Sequence, residues 1–134
     1  MIVVDVNIVT YALMGAGHYE ETMRLWERDN DWRMPELWKH EFQNVLVTSM
    51  RAGHITLDGA RLLMNQALRL FTPAQCRVGL TEALKISHSY GVTGYDGQYL
   101  GLALALRVPL ISEDRRLRMA APDRVWSMEQ YLDG

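Results

Sequence analysis

One cysteine, Cys76, stands in a sequence of 134 residues. It cannot close an intrachain disulfide, and without a thiolate cluster the chain has no means of holding structural zinc or an iron–sulfur centre. Basic charge is not in excess either: 14 Lys and Arg face 16 Asp and Glu, a formal net charge of −2. Proteins that hold nucleic acid by bulk electrostatics carry a basic face, so any such contact must be local or assisted by a metal ion. Long apolar runs are missing. The most apolar stretch, Leu100 to Leu106, is closed by Arg107 and Pro109, far short of the roughly 20 residues that a membrane span needs. Met1-Ile2-Val3-Val4 reaches Asp5 with no positive lead-in, which predicts no secretory signal. A cytoplasmic protein without membrane attachment is expected. No repeat, linker or low-complexity segment interrupts the chain, and its length suits one domain over residues 1–134.

What is present alternates. Ile2-Val3-Val4 is a β-branched apolar run that reads as a strand buried on both faces. A short helix from Val6 to Met14 is broken by Gly15 and Gly17, and Glu20 to Arg28 carries Met23 and Trp26 at helical spacing. Asp29-Asn30-Asp31 turns the chain into a second strand, Trp32-Arg33-Met34. From Glu36 to Met50 a helix is predicted, with Trp38, Phe42, Val45, Leu46 and Ser49 on one face. Leu37, Glu41 and Val45 form the neighbouring row, so Glu41 points toward the apolar side. Gly53 ends that helix and Thr56 caps the next, whose stripe is Ala60, Leu63, Met64, Ala67 and Leu68; the two should pair as a hairpin. A short strand falls within Phe71 to Val78, and Leu80, Ala83, Leu84 and Ser87 mark a helix closing near Gly91. Thr93-Gly94-Tyr95-Asp96 opens an apolar helix to about Leu106, where Gly97 and Gly101 allow close packing. A strand from Val108 to Ile111, a helix from Arg115 to Ala121, a strand at Val125-Trp126 and a turn near Tyr131 complete the chain. This alternation predicts an α/β fold of three layers, with a mostly parallel central sheet flanked by helices on both faces. Trp38 and the Leu62-Leu63-Met64 segment predict a homodimer through apolar helix surface.

In open parallel sheets the ligand crevice lies outside the carboxyl ends of the strands, where Asp5 and Asp114 fall. Glu41, facing inward on a middle helix, and Asp96, in the first turn of the apolar helix, can join them. Two like charges about 4 Å apart repel by roughly 4 kcal/mol at an effective dielectric of about 20, so four converging carboxylates need a cation. Oxygen donors without thiolates or paired histidines select Mg2+ or Mn2+, which activate water for attack on a phosphodiester. Each acid also has a structural explanation: Asp5 and Asp114 as N-caps, Asp96 in a capping box with Thr93, Glu41 as a boundary residue. Arg115, Arg116 and Arg118 either hold flanking phosphates beside Asp114 or form a solvated helix face. Other chemistries fail on missing residues. His40-Glu41 lacks the second histidine of a zinc protease, because position 44 is Asn44; His18, His54 and His88 show no ligand spacing. No phosphate-binding glycine loop appears. A signalling receiver domain would need a phosphoacceptor aspartate ending a central strand, where the chain has Thr48-Ser49-Met50 within a helix.

The ordered blocks Ile2-Val3-Val4-Asp5-Val6-Asn7, Pro35-Glu36-Leu37 with Glu41-Phe42-Gln43-Asn44-Val45-Leu46, Gly94-Tyr95-Asp96 with Leu102-Ala103, and Pro109 through Asp114 resemble a PIN-domain ribonuclease, in particular the toxins of bacterial VapBC toxin–antitoxin pairs. The resemblance implies a metal-dependent endoribonuclease with Asp5, Glu41, Asp96 and Asp114 as the acidic catalytic and metal-binding site. It places Asn7 and Ser112 behind them as supporting polar residues. It further implies a homodimer inhibited by a VapB-like antitoxin. Gly97 departs from the family's usual helix former, and Glu113 adds an acid beside Asp114 that could share its metal role. The alternative is a PIN-like module that binds RNA or protein without cutting.

Overall fold

The computed structural model describes residues 1–15 and 17–134. Strand β1 (Ile2–Val4) leads into helix α1 (Val6–Met14), followed by α2 (Tyr19–Arg28), β2 (Trp32–Pro35), α3 (Trp38–Arg51) and α4 (Leu57–Phe71). A 3-10 turn (Thr72–Ala74) leads from α4 into β3 (Gln75–Cys76), which is followed by α5 (Leu80–Tyr90) and α6 (Gly94–Leu106). The chain ends with β4 (Leu110–Ile111), α7 (Arg115–Ala120), β5 (Val125–Trp126) and α8 (Met128–Asp133).

The strands form one sheet in the order β3-β2-β1-β4-β5, and every pairing is parallel. Val3 pairs with Arg33 on one side and Leu110 on the other, so β1 is central. Ile2, Val3 and Val4 are buried because both faces of that strand are covered, as their unbroken apolar run predicts. The chain winds outward from β1 to β3, then returns to start the other half at β4. The switch point therefore lies between β1 and β4, whose carboxyl ends open a crevice. Helices flank the sheet: α6 lies against β1, β2 and β4 and packs along α5, whereas α1 packs with α2, α3 and α4.

Local signals end the helices where the sequence places them. Gly15 and Gly91 close α1 and α5 in the left-handed region, at φ 68° and 67°, where glycine has no Cβ to clash. Three differences have physical causes. Helix α3 starts at Trp38 rather than Glu36 because Pro35 still pairs in the sheet, opposite Cys76. At the carboxyl end a full helix replaces the expected turn, set by a reciprocal capping box between Ser127 and Gln130. Of the four residues whose spacing marks α5 only Ala83 is buried, while Leu80 and Leu84 are 70% and 69% exposed. The face of α5 bearing Ala83 and Ser87 is pressed onto α6 at Gly97. A Cβ at Gly97 would overlap Ser87 Oγ and stand 2.8 Å from the Ala83 carbonyl oxygen. Gly101 carries no such constraint, its nearest neighbour being Ile86 Cγ1 at 3.8 Å.

Trp38 is also not where a dimer contact needs it. It is fully buried, donates from Nε1 to Gln75 Oε1 at 3.2 Å and meets Phe71 edge-on. Leu62 remains exposed. Among the described residues, no helix is long and apolar enough to cross a membrane.

Candidate active site

All four sequence-predicted acids sit at helix N-termini, and two of them, Asp5 and Asp114, are N-caps. Asp5 ends β1 and N-caps α1, where Oδ1 accepts the Ile8 N–H at 3.2 Å. Its other oxygen accepts from the hydroxyl of Ser112, the first residue after β4. Ser112 is fully buried, and its Oγ also accepts the Asp114 N–H at 3.0 Å. One hydroxyl thus joins the ends of two adjacent strands. Asp114 N-caps α7, accepting from the N–H groups of Arg116 and Leu117 at 2.9 and 3.3 Å. Asp96 lies in the first turn of α6 and donates its backbone N–H to Thr93 Oγ1 at 3.1 Å. Glu41 occupies the first turn of α3 and accepts from the Tyr99 hydroxyl at 2.7 Å.

The capping explanation holds for Asp5 and Asp114, whereas at α6 the cap is Thr93 and Asp96 contributes only its backbone N–H. A helix N-terminus carries partial positive charge, so it stabilises a carboxylate held there. This is a way to gather acids that would otherwise repel one another.

Electrostatics couple the four in sequence. Burial pushes Asp5 up to about 6; the bonds from Ser112, Ile8 and the Asn7 backbone oppose the shift, and Glu41 adds to it. Glu41 is raised by burial, with Tyr99 opposing and Asp96 adding. Asp96 is raised by burial and then by Asp114. Tyr99 is held neutral by burial and by Glu41, so it remains a proton donor to that carboxylate.

The carboxylates do not form a closed cage. Among the described residues, the three side chains whose ligand atoms come within 4.8 Å of one another are His18, Glu21 and Glu113 instead. A hard cation that keeps several waters and takes one or two carboxylates suits the open arrangement of the four acids, and a tetrahedral site does not. The donor set, all oxygen and under mutual repulsion, fits a divalent cation in the same way.

The supporting residues divide. Ser112 touches two of the acids, whereas Asn7 reaches Asp5 through its backbone N–H. Glu113 turns toward α8: its Oε1 accepts the Met128 N–H at 2.8 Å, and Oε2 lies 3.8 Å from Arg118. Arg118 also donates to the Ser112 carbonyl at 3.1 Å, bracing this loop from within. Arg115 and Arg116 are exposed on the first turn of α7. Tyr99 was not legible as a site residue. Its signal was the three-residue step from Asp96, which puts both on one side of α6, but the apolar composition of that helix hid it in the core.

A parallel sheet with acids at the carboxyl ends of its central strands and at the helix starts around them defines an α/β domain with an acidic edge. Residues 2–121 match the PIN domain, and the chain belongs to this family, whose members are generally nucleases that use divalent metal ions. The chain is similar in structure to PAE2754 from Pyrobaculum aerophilum, with a TM-score of 0.75 and 22% identity, covering 98% of this chain and 93% of that one. It is similar to FitAcB from Neisseria gonorrhoeae at a TM-score of 0.70 and 15% identity, covering 96% and 99% of the two chains. A toxin–antitoxin complex from Klebsiella pneumoniae contains a chain similar at a TM-score of 0.68 and 14% identity, covering 96% and 98%. No curated protein sequence matches the chain.

Proposed function

We propose that this PIN domain, as a single unit over residues 1–134, is an endoribonuclease that hydrolyses RNA phosphodiester bonds with Mg2+ or Mn2+, and that it is the toxin of a toxin–antitoxin pair. The observation that carries the reading is the coupled set Asp5, Glu41, Asp96 and Asp114, with Asp5 and Asp114 joined through Ser112. Those four would hold the cation. When bound, it supplies Lewis-acid activation of water and neutralises charge gathering on the phosphate. The chain's own groups do the rest. Ser112 fixes the Asp5 carboxylate and Tyr99 fixes that of Glu41, so neither must reorganise on binding. Arg115 and Arg116, exposed beside Asp114, would hold flanking phosphates, with Arg118 behind them.

The toxin role draws support from the structural likeness to a chain of a toxin–antitoxin complex. A VapB-like antitoxin is the partner we expect, with a homodimer in the cytoplasm as the working form. Exposed Leu62, Leu80 and Leu84 offer apolar surface for that dimer.

The test is cleavage of labelled RNA by purified protein in Mg2+, in Mn2+ and in EDTA, alongside Asp5→Asn. Cleavage should need the metal and fall at least about a hundredfold in the variant, on the scale of losing an essential electrostatic group. Metal-independent cutting, or an active variant, would overturn the mechanism. RNA binding without cleavage would make the chain a binding module. Induced expression should arrest growth for the wild type and not for Asp5→Asn.

A further inference from the structure

An open cleft of ≈ 420 Å³ flanks Glu41, walled by α3, the start of α1 and the start of α6. Its lining is tied to the acids through the chain itself: Val6 follows Asp5, Tyr95 precedes Asp96, and Glu41 is a wall residue. The remaining wall is mixed. Val45 and Leu37 give an apolar floor, while His40 and Asn44 stand one helical turn apart on the rim of α3. Tyr95 is 63% exposed, an aromatic ring presented to solvent at the mouth. Two other clefts, one lined by Trp26, Trp32 and Phe71 and one between α5 and α6, contain none of the four acids.

Small-ligand pockets run from about 300 to 1,000 Å³, so this one sits at the size of a single nucleotide. Flat apolar faces with a polar edge are what its walls complement. A nucleobase has that shape, and an unpaired base enters a pocket at the least cost because no pairing has to be broken. Resting on the ribonuclease reading, we propose that the cleft takes one unpaired base beside the scissile phosphate, stacked on Tyr95 with Asn44 and His40 at its polar edge. The asparagine amide offers a donor and an acceptor together, as base-edge recognition requires. Glu41 sets the cleft directly beside the four acids, so a base held in it lies next to the phosphate that they would act on.

The experiment has two arms. In the first, kcat and KM are measured for wild type, Tyr95→Ala, Tyr95→Phe and Asn44→Ala on an RNA series carrying an abasic residue at each position around the cut. One abasic position should cost wild type roughly 5- to 150-fold in kcat/KM, the range for loss of a stacked base. The same position should cost Tyr95→Ala almost nothing more, while Tyr95→Phe regains most of the loss. Additive losses at every position would overturn the inference, because a merely structural tyrosine cannot sense one base. In the second arm, NMR shifts at Tyr95, Asn44 and His40 are followed while each of the four nucleoside monophosphates, and separately arginine amide, is added at millimolar concentration. Shifts with a nucleotide support the pocket even if RNA is never cut, a result that would sink the ribonuclease reading alone. Shifts with arginine amide only would assign the cleft to a basic peptide and overturn the inference, and so would no shifts at all.

Discussion

Asp5→Asn in metal-free protein tests whether the acidic site strains the fold. The carboxyl of Asp5 is raised from 3.8 to about 6 in the native state, mainly by burial. A raised native value means that the folded chain binds this proton more tightly than the unfolded chain does. The resulting stabilisation is fully present below about pH 3.8 and is lost as pH rises through about 6. At about 1.36 kcal/mol per pKa unit the swing is ~3 kcal/mol. Asparagine cannot ionise, yet its carbonyl can still accept from Ile8 and its amide can donate to Ser112 Oγ, so the local geometry has partners on both sides. With an unfolding entropy of roughly 0.28 kcal/mol/K for 134 residues, ~3 kcal/mol corresponds to about 10 °C in Tm. Thermal scans in EDTA from pH 4 to 7.5 should therefore show the variant-minus-wild-type Tm difference widening by about that much, with the variant gaining. Saturating Mg2+ at pH 7.5 should then raise wild type more than the variant, since a ligand stabilises only the state that holds its site. A Tm difference that stays constant across this pH range would refute the strained-carboxylate reasoning.

Three further outcomes follow from other contacts. Gly97→Ala should destabilise the domain by about 1–3 kcal/mol in urea unfolding, because the overlap with Ser87 outweighs the ~1 kcal/mol of helix propensity gained. Ser87 has little freedom to yield, as its Oγ donates toward the carbonyls of Ala83 and Thr93 at 2.8 and 3.0 Å. Tyr99→Phe removes the bond that holds the Glu41 pKa down, so the acid limb of the pH–rate profile should move to higher pH, with metal affinity roughly 10-fold weaker by calorimetry. Ser112→Ala should cost about 1–3 kcal/mol in a chemical-denaturation curve, since the buried Asp5 oxygen and the Asp114 N–H lose their shared partner.

The elements themselves were written locally. An all-β-branched run fixed β1, Thr56 and Thr93 marked helix starts that they do cap, and Gly15 and Gly91 marked ends that need a left-handed residue. Asp5, Asp96 and Asp114 were findable for the same reason: each follows a strand or opens a helix, a position visible within a few residues. Periodicity failed where a helix face is chosen by its neighbour. Leu80 and Leu84 have the spacing of a buried stripe, yet the approach of α6 at Gly97 selected the face with Ala83 and Ser87 and left both leucines in solvent.

The sequence by itself determined the order of strands and helices, the parallel sheet and the acids at its carboxyl edge, because propensity, capping and binary pattern act over one or two turns. Only the tertiary structure decided what those acids touch. Tyr99 reaches Glu41 across 58 residues and Ser112 reaches Asp5 across 107, and the loop at Glu113 closes on Met128. It also turned Trp38 inward, away from any dimer surface, and gave Gly97 its reason. Contacts between distant segments depend on how packed elements are placed relative to one another, and no local window of residues encodes that placement.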